Sequence, residues 1–371
     1  MTSTVFGGSS KRLNPCHWDE LMRISATMIK HLFLMAAAVA AWTVSAAPQA
    51  LAADHAVIVM YHRFGENRYP STNVTMKQLD AHIAHLKRGK FTVWPLKKIV
   101  AAIKAGRPLP DKTVAITIDD AYASVMKRGL PKLKAAGFTA TLFVSTEPVD
   151  AGLPGYMSWG DIRKALDDGF DIGAHTISHA HLADLPLADA KREIAFSNQR
   201  FKAELGFVPE LFAYPYGETT LAVRDAVKAA GHVAAFGQHS GVAHASEDMF
   251  YLPRFSLNEK YGAADRFRTL ISALPMDARD VTPSNITLDE STNPPAFGFT
   301  VGVSAANLNG LACYASSLGK LKLQKLGARR VEARLPRRLK PGRHRVNCTL
   351  FAGGGRWRWY GRQFYVPKPV K

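Results

Sequence analysis

Two features are missing from this sequence: low-complexity tracts and apolar runs long enough to cross a membrane. Without such tracts, and with 47% apolar residues, the 371-residue chain has the composition of a globular protein with a sizeable core. Its length allows one large domain and a smaller one. The apolar run over residues 32–44 falls short of the roughly 20 residues that a transmembrane helix needs, which argues against a retained anchor.

The same short run has the surroundings of an export signal. Lys30 precedes it and small residues follow it, with cleavage expected near Ala52 or Ala53. We therefore predict that residues 1–53 are an N-terminal extension and signal peptide, with translation starting at Met28. The mature protein is expected to be periplasmic or secreted.

Cysteine is scarce, with three residues in the whole chain. Only Cys313 and Cys348 follow the predicted cleavage site, because Cys16 precedes it. In an oxidising compartment these two are predicted to form a disulfide, which would stabilise the fold by about 3–4 kcal/mol. Two free buried thiols are the alternative.

Acidic residues are scarce in the last quarter of the chain. Residues 281–371 contain 16 Lys and Arg against 3 Asp and Glu, and so carry most of the formal net charge of +18. The Pro- and Asn-rich segment 281–295 is predicted to link a large domain, 54–280, to a basic β-rich domain, 296–371. This charge favours an acidic polysaccharide or an anionic envelope surface as partner. Nucleic acid is not expected after export, and a merely solvated basic surface is the alternative.

Short apolar runs alternate with stretches of helical length between residues 55 and 280. Six runs are predicted as strands: 56–60, 114–119, 140–145, 170–174, 211–214 and 232–236. The alternation favours an α/β fold in which helices surround a parallel sheet, either open or closed into a barrel. In both forms catalytic groups belong at the carboxyl ends of the strands. After residue 295, short β-rich runs predict a small antiparallel sheet or sandwich.

Polar side chains follow the predicted strands where their ends should converge, among them adjacent aspartates at 119 and 120 and histidines at 175 and 179. Adjacent carboxylates repel unless a cation or a shared proton lies between them, and a helix N-cap would explain only one. The histidines lack the Glu of the helical zinc motif, and each alone would suit a local hydrogen bond. Two imidazoles and one carboxylate nevertheless make a three-ligand set with an open position. We predict a divalent ion here, with Zn²⁺ preferred and Co²⁺ or Ni²⁺ as alternatives.

Three short motifs resemble those of the polysaccharide deacetylases of carbohydrate esterase family 4. They are TIDD at 117–120, HTISH at 175–179 and PYG at 215–217. The resemblance covers about residues 57–257. It implies a distorted (β/α) barrel and the hydrolysis of an N-acetyl, less often O-acetyl, group on a glycan.

The resemblance also implies roles for individual residues. It makes Asp119 the catalytic base, and it makes the backbone N–H of Tyr216 an oxyanion donor. The implied metal ligands are Asp120, His175 and His179. The opening VIVMYHRF is similar to the start of exported biofilm-type deacetylases, which makes His62 the candidate general acid, with His239 as the alternative. The predicted substrate contacts are Tyr61, Pro215 and Tyr216.

The sequence departs from the family pattern in three places. Ala121 replaces the Gly that follows the aspartates, and Ala213 stands where the third motif has an Arg that orients the base. The late Leu-x-His that supplies the acid in many members is missing. Arg63 or Arg254 is predicted to replace the missing Arg in space. Ala213 and the missing late His leave one alternative, a non-catalytic glycan-binding protein on the same fold. A second alternative is a metal-dependent amidase that acts on a small amide, as in other members of the same wider fold.

Overall fold

The structure, a computed structural model, describes residues 1–5, 7–8, 52–305, 307–316 and 318–368. Cys16, Met28, Lys30 and the apolar run 32–44 therefore lie outside the described residues. The described residues from 52 onward belong to one compact unit. None of the described helices has the length and hydrophobicity of a membrane span.

A mainly parallel nine-stranded sheet lies at the centre of the first two thirds of this unit. Its strands, and four short strands beside it, are β1 (Ala52–Ala53), β2 (His55–Tyr61), β3 (Arg63–Phe64), β4 (Asn73–Val74), β5 (Thr92–Val93), β6 (Leu109–Pro110), β7 (Thr113–Asp119), β8 (Thr141–Val144), β9 (Asp171–Ala174), β10 (Leu211–Ala213), β11 (Ala234–Phe236), β12 (Ala243–His244) and β13 (Phe255–Ser256). The order is β11-β10-β9-β8-β7-β2-β12, with β13 beside β2 and β5 beside β7. The sheet does not close, so the barrel is open. All six predicted strands are present.

Eight α-helices are described around this sheet. They are α1 (Met76–Arg88), α2 (Leu96–Lys104), α3 (Leu130–Ala135), α4 (Thr146–Asp150), α5 (Trp159–Asp167), α6 (Leu187–Leu205), α7 (Leu221–Ala229) and α8 (Ala264–Ile271). Local sequence explains where several begin. Thr75 and Gln78 form a capping box at α1, and Ser158 and Asp161 form one at α5, so that otherwise unpaired N–H groups are satisfied.

The last third of the unit is β-rich, as predicted. Its strands are β14 (Leu274–Pro275), β15 (Ala278–Thr282), β16 (Ala296–Val301), β17 (Ala312–Ala315), β18 (Gly319–Lys320), β19 (Lys322–Leu326), β20 (Arg330–Arg334), β21 (Gly342–Gly353) and β22 (Arg356–Val366). They form one sheet of order β14-β22-β21-β17-β18 and another of order β15-β16-β20-β19. Buried residues of both sheets, such as Phe297, Val331 and Phe364, share one hydrophobic core.

The predicted disulfide is present in this core. Cys313 on β17 and Cys348 on β21 lie opposite each other in an antiparallel pair, and both are buried. Within the predicted linker, the Leu288 N–H donates to the Tyr365 carbonyl, and the Tyr365 N–H donates to the Ile286 carbonyl. The segment 281–295 therefore packs against β22. The domain boundaries given above stay a prediction.

Candidate active site

Asp119 ends β7 and lies fully buried against an arginine. Its two carboxylate oxygens accept hydrogen bonds from Arg254 Nη1 and Nη2 at 2.7 and 2.9 Å. Arg254 is held in turn by bonds from Nε to the Gly237 carbonyl and from Nη1 to Thr117 Oγ1. Burial raises the pKa of Asp119, but Arg254 and then His175 outweigh it and hold the pKa below its usual value. The carboxylate is therefore ionised and fixed in orientation.

Arg254 thus makes the contact that the motif arginine would make, although residue 213 is alanine. Of the two arginines predicted for this place, Arg63 lies elsewhere. It pairs with Glu66 at 2.8 Å and lies over the Tyr122 ring at 3.3 Å. The orientation of Asp119 is therefore supplied from a different part of the chain.

Asp120, His175 and His179 bring three ligand atoms together. Asp120 Oδ1 lies 3.4 Å from His175 Nε2 and 3.3 Å from His179 Nε2, and the three atoms are within 4.8 Å of one another. His175 Nδ1 lies 2.7 Å from the Ala213 carbonyl and donates to it, which leaves a lone pair on Nε2. Asp120 Oδ1 and His175 Nε2 are buried without a hydrogen-bond partner in the described chain. Because buried polar atoms are normally paired, these acceptors fit a cation.

The charge states of Asp120 and His179 also suit a cation. Burial by itself raises the pKa of Asp120, but the neighbouring histidines, His175 first, outweigh it and lower the pKa. Burial lowers the pKa of His179 to about 4. Asp120 and His179 therefore offer a carboxylate and a neutral imidazole, which are the forms that ligate a metal.

Left-handed backbone turns bring the ligands to one point. Asp120, Thr176 and His179 have φ values of 74°, 70° and 60°, a region that residues other than Gly rarely occupy. Ala121 shares this conformation with φ 50°, so alanine takes the backbone shape expected of the motif Gly. Glu193 on α6 accepts the Ile177 and Ser178 N–H groups at 3.1 and 3.0 Å and so holds the HTISH loop. Sequence reasoning missed Glu193.

Tyr216 lies in the short turn Pro215–Gly217 after β10, also with a φ of 60°. Its ring stacks on His181 at 3.9 Å and meets the His179 ring edge-on at 4.5 Å. Gln363 on β22 donates through Nε2 to the carbonyls of Tyr216 and Gly217 at 3.1 and 2.9 Å. A residue of the β-rich part therefore supports the turn that carries the predicted oxyanion donor.

A cavity of about 850 Å³ opens beside Asp120, His175 and His179, which we call the ligand cluster. Both parts of the unit line it: His62, Asp120, His179, Tyr216 and Arg266 from the first, and Tyr314, Arg343, Arg345 and Trp359 from the β-rich strands. Sequence reasoning did not place the basic strands at this cavity.

Of the two candidate acids, His62 lines the cavity, and its buried Nδ1 has no partner in the described chain. His239 does not line it and stacks on Tyr251 at 4.5 Å. Burial, followed by nearby arginines such as Arg362, lowers the pKa of His239 well below its usual value. The placement therefore favours His62.

Two predicted substrate contacts lie away from the cavity. Tyr61 is buried and its hydroxyl is 3.0 Å from His82 Nδ1. Pro215 is also buried, and neither residue is part of the cavity wall. Of the three predicted contacts, only Tyr216 faces it.

Comparison with known proteins agrees with this geometry. The family described as polysaccharide deacetylase matches residues 106–235. Residues 106–235 therefore resemble the polysaccharide deacetylase family. This chain is 24% identical over 197 residues to YxkH of Bacillus subtilis (strain 168), which is named as a polysaccharide deacetylase. The match covers 53% of this chain and 69% of that protein. A chitin deacetylase of Pestalotiopsis sp. is 27% identical over 147 residues, 37% of this chain and 46% of that protein.

Solved structures resemble the fold of the deacetylase domain. The deacetylase PplD of Streptococcus pyogenes, in complex with acetate, has a TM-score of 0.55 at 18% identity, over 58% of this chain and 98% of that one. IcaB from Ammonifex degensii has a TM-score of 0.53 at 22% identity over the same shares. The predicted resemblance to this family, the enzyme class and the distorted (β/α) barrel with an added β-rich part are confirmed.

Proposed function

We propose that the chain is an exported, metal-dependent hydrolase that removes N-acetyl groups, or O-acetyl groups, from a polysaccharide. The observation that carries this proposal is the pair of buried, unpartnered ligand atoms, Asp120 Oδ1 and His175 Nε2. They lie with His179 beside a cavity large enough for sugar residues. Asp119 is fully buried and does not line this cavity, but it directly precedes Asp120 in the chain.

Asp120, His175 and His179 would hold the divalent ion, for which we propose Zn²⁺ because the donor set has two imidazoles and one carboxylate. In such a site a zinc ion supplies Lewis acidity toward the acetyl carbonyl and toward water. The fixed tautomer of His175 prepares its ring for this role, since the Ala213 carbonyl already accepts the Nδ1 proton.

The remaining residues would move protons and stabilise charge. Water adds to the acetyl carbon while Asp119 accepts its proton through a carboxylate lone pair that Arg254 leaves free. The Tyr216 N–H donates to the oxygen on which negative charge develops. The carbon–nitrogen bond then breaks, acetate leaves, and His62 protonates the sugar nitrogen.

A polymeric substrate and export have support of their own. The cavity wall carries aromatic side chains, among them Tyr216, Tyr314 and Trp359, and it extends onto the β-rich strands. The Cys313–Cys348 disulfide is typical of proteins that work in an oxidising compartment, such as the periplasm or the exterior.

Acetate release from a panel of glycans tests this proposal. The panel contains poly-N-acetylglucosamine, chitin oligomers, peptidoglycan and acetylated acidic exopolysaccharides, each assayed with metal-stripped protein and after zinc, cobalt or nickel is restored. We expect metal-dependent release from at least one glycan, and its loss in Asp119→Asn. The matched control is Asp225→Asn, on an exposed position of α7. Release by metal-stripped protein, or undiminished release by Asp119→Asn, would refute the mechanism.

A further inference from the structure

Positively charged side chains line the cavity beside the ligand cluster. Arg266, Arg343 and Arg345 all reach its wall. Among the described residues that line the cavity, Asp120 is the only acid, and it belongs to the ligand cluster. The wall is therefore cationic where a substrate would lie.

Arg345, on β21, has only neutral acceptors. Its Nε donates to Gln363 Oε1 at 3.0 Å, and its Nη2 lies 3.5 Å from Gln238 Oε1. It forms no ion pair in the described part of the chain, although it is part-buried. Burial, followed by the charge of Arg343, lowers the pKa of Arg345, as expected of a desolvated cation without an anion. Such a group favours an incoming anion, because amide oxygens do not neutralise it.

Arg343, two residues from Arg345 on β21, contacts Tyr216 beside the ligand cluster. Its Nε is 3.2 Å from Glu218 Oε1, and Glu218 also pairs with His181 at 2.6 Å. The Arg343 guanidinium lies 5.2 Å from the centre of the Tyr216 ring, which in turn contacts the His179 ring at 4.5 Å. An anion bound by Arg343 would therefore be separated from His179 by the ring of Tyr216. It would lie next to the acetyl group that reacts, not at the position of that group.

We propose that Arg345, together with Arg343, forms an anion-binding subsite in the catalytic cavity. The substrate would then be an acidic acetylated glycan, with a carboxylate or phosphate close to the acetylated sugar. A guanidinium suits both groups, since its planar N–H donors match two oxygens at once. This inference rests on the proposed function and names its substrate class.

The subsite is tested by substrate selectivity in the full chain. We compare kcat/KM on an acetylated polyuronate, on an acetylated glycan that carries phosphate, and on neutral N-acetylglucosamine oligomers. The ratio of the anionic to the neutral value should fall about tenfold or more in Arg345→Gln, and less in the charge-preserving Arg345→Lys. Whichever anionic glycan shows the larger fall identifies the anion. The matched control, Arg337→Gln, removes an exposed arginine of the same β-rich part and should leave the ratio unchanged. An Arg345→Gln ratio within twofold of wild type would overturn the subsite.

Binding without turnover separates this inference from the proposed function. Calorimetry with a polyuronate oligomer that lacks acetyl groups should show binding to wild type, weakened about tenfold in Arg345→Gln and restored in part in Arg345→Lys. Such binding without acetate release from any glycan would support the subsite and refute the deacetylase. Acetate release with no binding of either the polyuronate or a phosphorylated oligomer would support the deacetylase and refute the subsite.

Discussion

Replacing Arg254 with Gln tests whether its ion pair sets the state of Asp119. Both side chains are fully buried, so solvent does not screen the pair. Removing one partner leaves an uncompensated buried carboxylate, which costs about 3–5 kcal/mol in the free energy of unfolding. The two hydrogen bonds, at 2.7 and 2.9 Å, also fix the carboxylate. A positioned general base contributes about 10²–10⁴ in rate, so kcat should fall at least about 100-fold.

The assay for this prediction combines denaturant unfolding at neutral pH with acetate release from the best glycan. The matched control is Arg224→Gln, which breaks another arginine–aspartate pair of 2.8 Å. Its partner Asp248 is half exposed, so water solvates the freed carboxylate and the loss of stability should be smaller. The reasoning is refuted if Arg254→Gln keeps kcat within twofold of wild type, or destabilises the protein no more than Arg224→Gln does.

Three further predictions follow from buried contacts. Burial lowers the pKa of His82 from 6.5 to about 4, so as the pH falls the unfolded chain binds this proton before the folded chain does. The free energy of unfolding should therefore fall by up to about 3 kcal/mol as pH drops from about 6.5 to 4. Denaturant unfolding across this range should show a smaller loss in His82→Gln, and an equal loss would contradict the assignment. Reduction of the Cys313–Cys348 disulfide should lower the free energy of unfolding by about 2–4 kcal/mol, and unchanged unfolding with reductant would be the contrary result. Gln363→Met removes both hydrogen bonds to the turn at Tyr216, each worth about 0.5–1.5 kcal/mol, so kcat should fall about tenfold at unchanged metal content. An unaltered kcat would contradict its positioning role.

The strands and the ligand cluster were predictable because both depend on local patterns. Parallel strands buried on both faces, such as β7, are seen in the sequence as nearly continuous apolar runs. Polar residues that follow such runs lie at one edge of the sheet, which is why Asp120, His175 and His179 could be grouped before the fold was known.

Contacts between distant segments could not be predicted in the same way. Arg254 is 135 residues from Asp119, and only the packing of the complete barrel distinguishes it from Arg63. The sequence pattern predicts strands that contain Arg345 and Gln363, but it does not show which part of the barrel those strands pack against. Their position at the cavity depends on how the β-rich part packs against the barrel.

Tyr61 shows how strand alternation limits a prediction made from position alone. It ends β2 beside His62, and adjacent strand residues point to opposite faces. Tyr61 shares its face with Val57 and Val59, and all three belong to the same hydrophobic core. A residue at the end of a strand therefore lines the active site only if its side chain lies on the face of the sheet that borders the cavity.

Metal titration of the stripped protein tests whether Asp120, His175 and His179 hold an ion that the reaction needs. Acetate release would be followed as Zn²⁺ is added to wild type and to His175→Gln. Wild-type activity should rise from near zero and saturate at one equivalent, because Asp120, His175 and His179 form a single ligand cluster. His175→Gln should show no such rise. Full activity in the stripped protein, or an identical titration by the variant, would contradict this expectation.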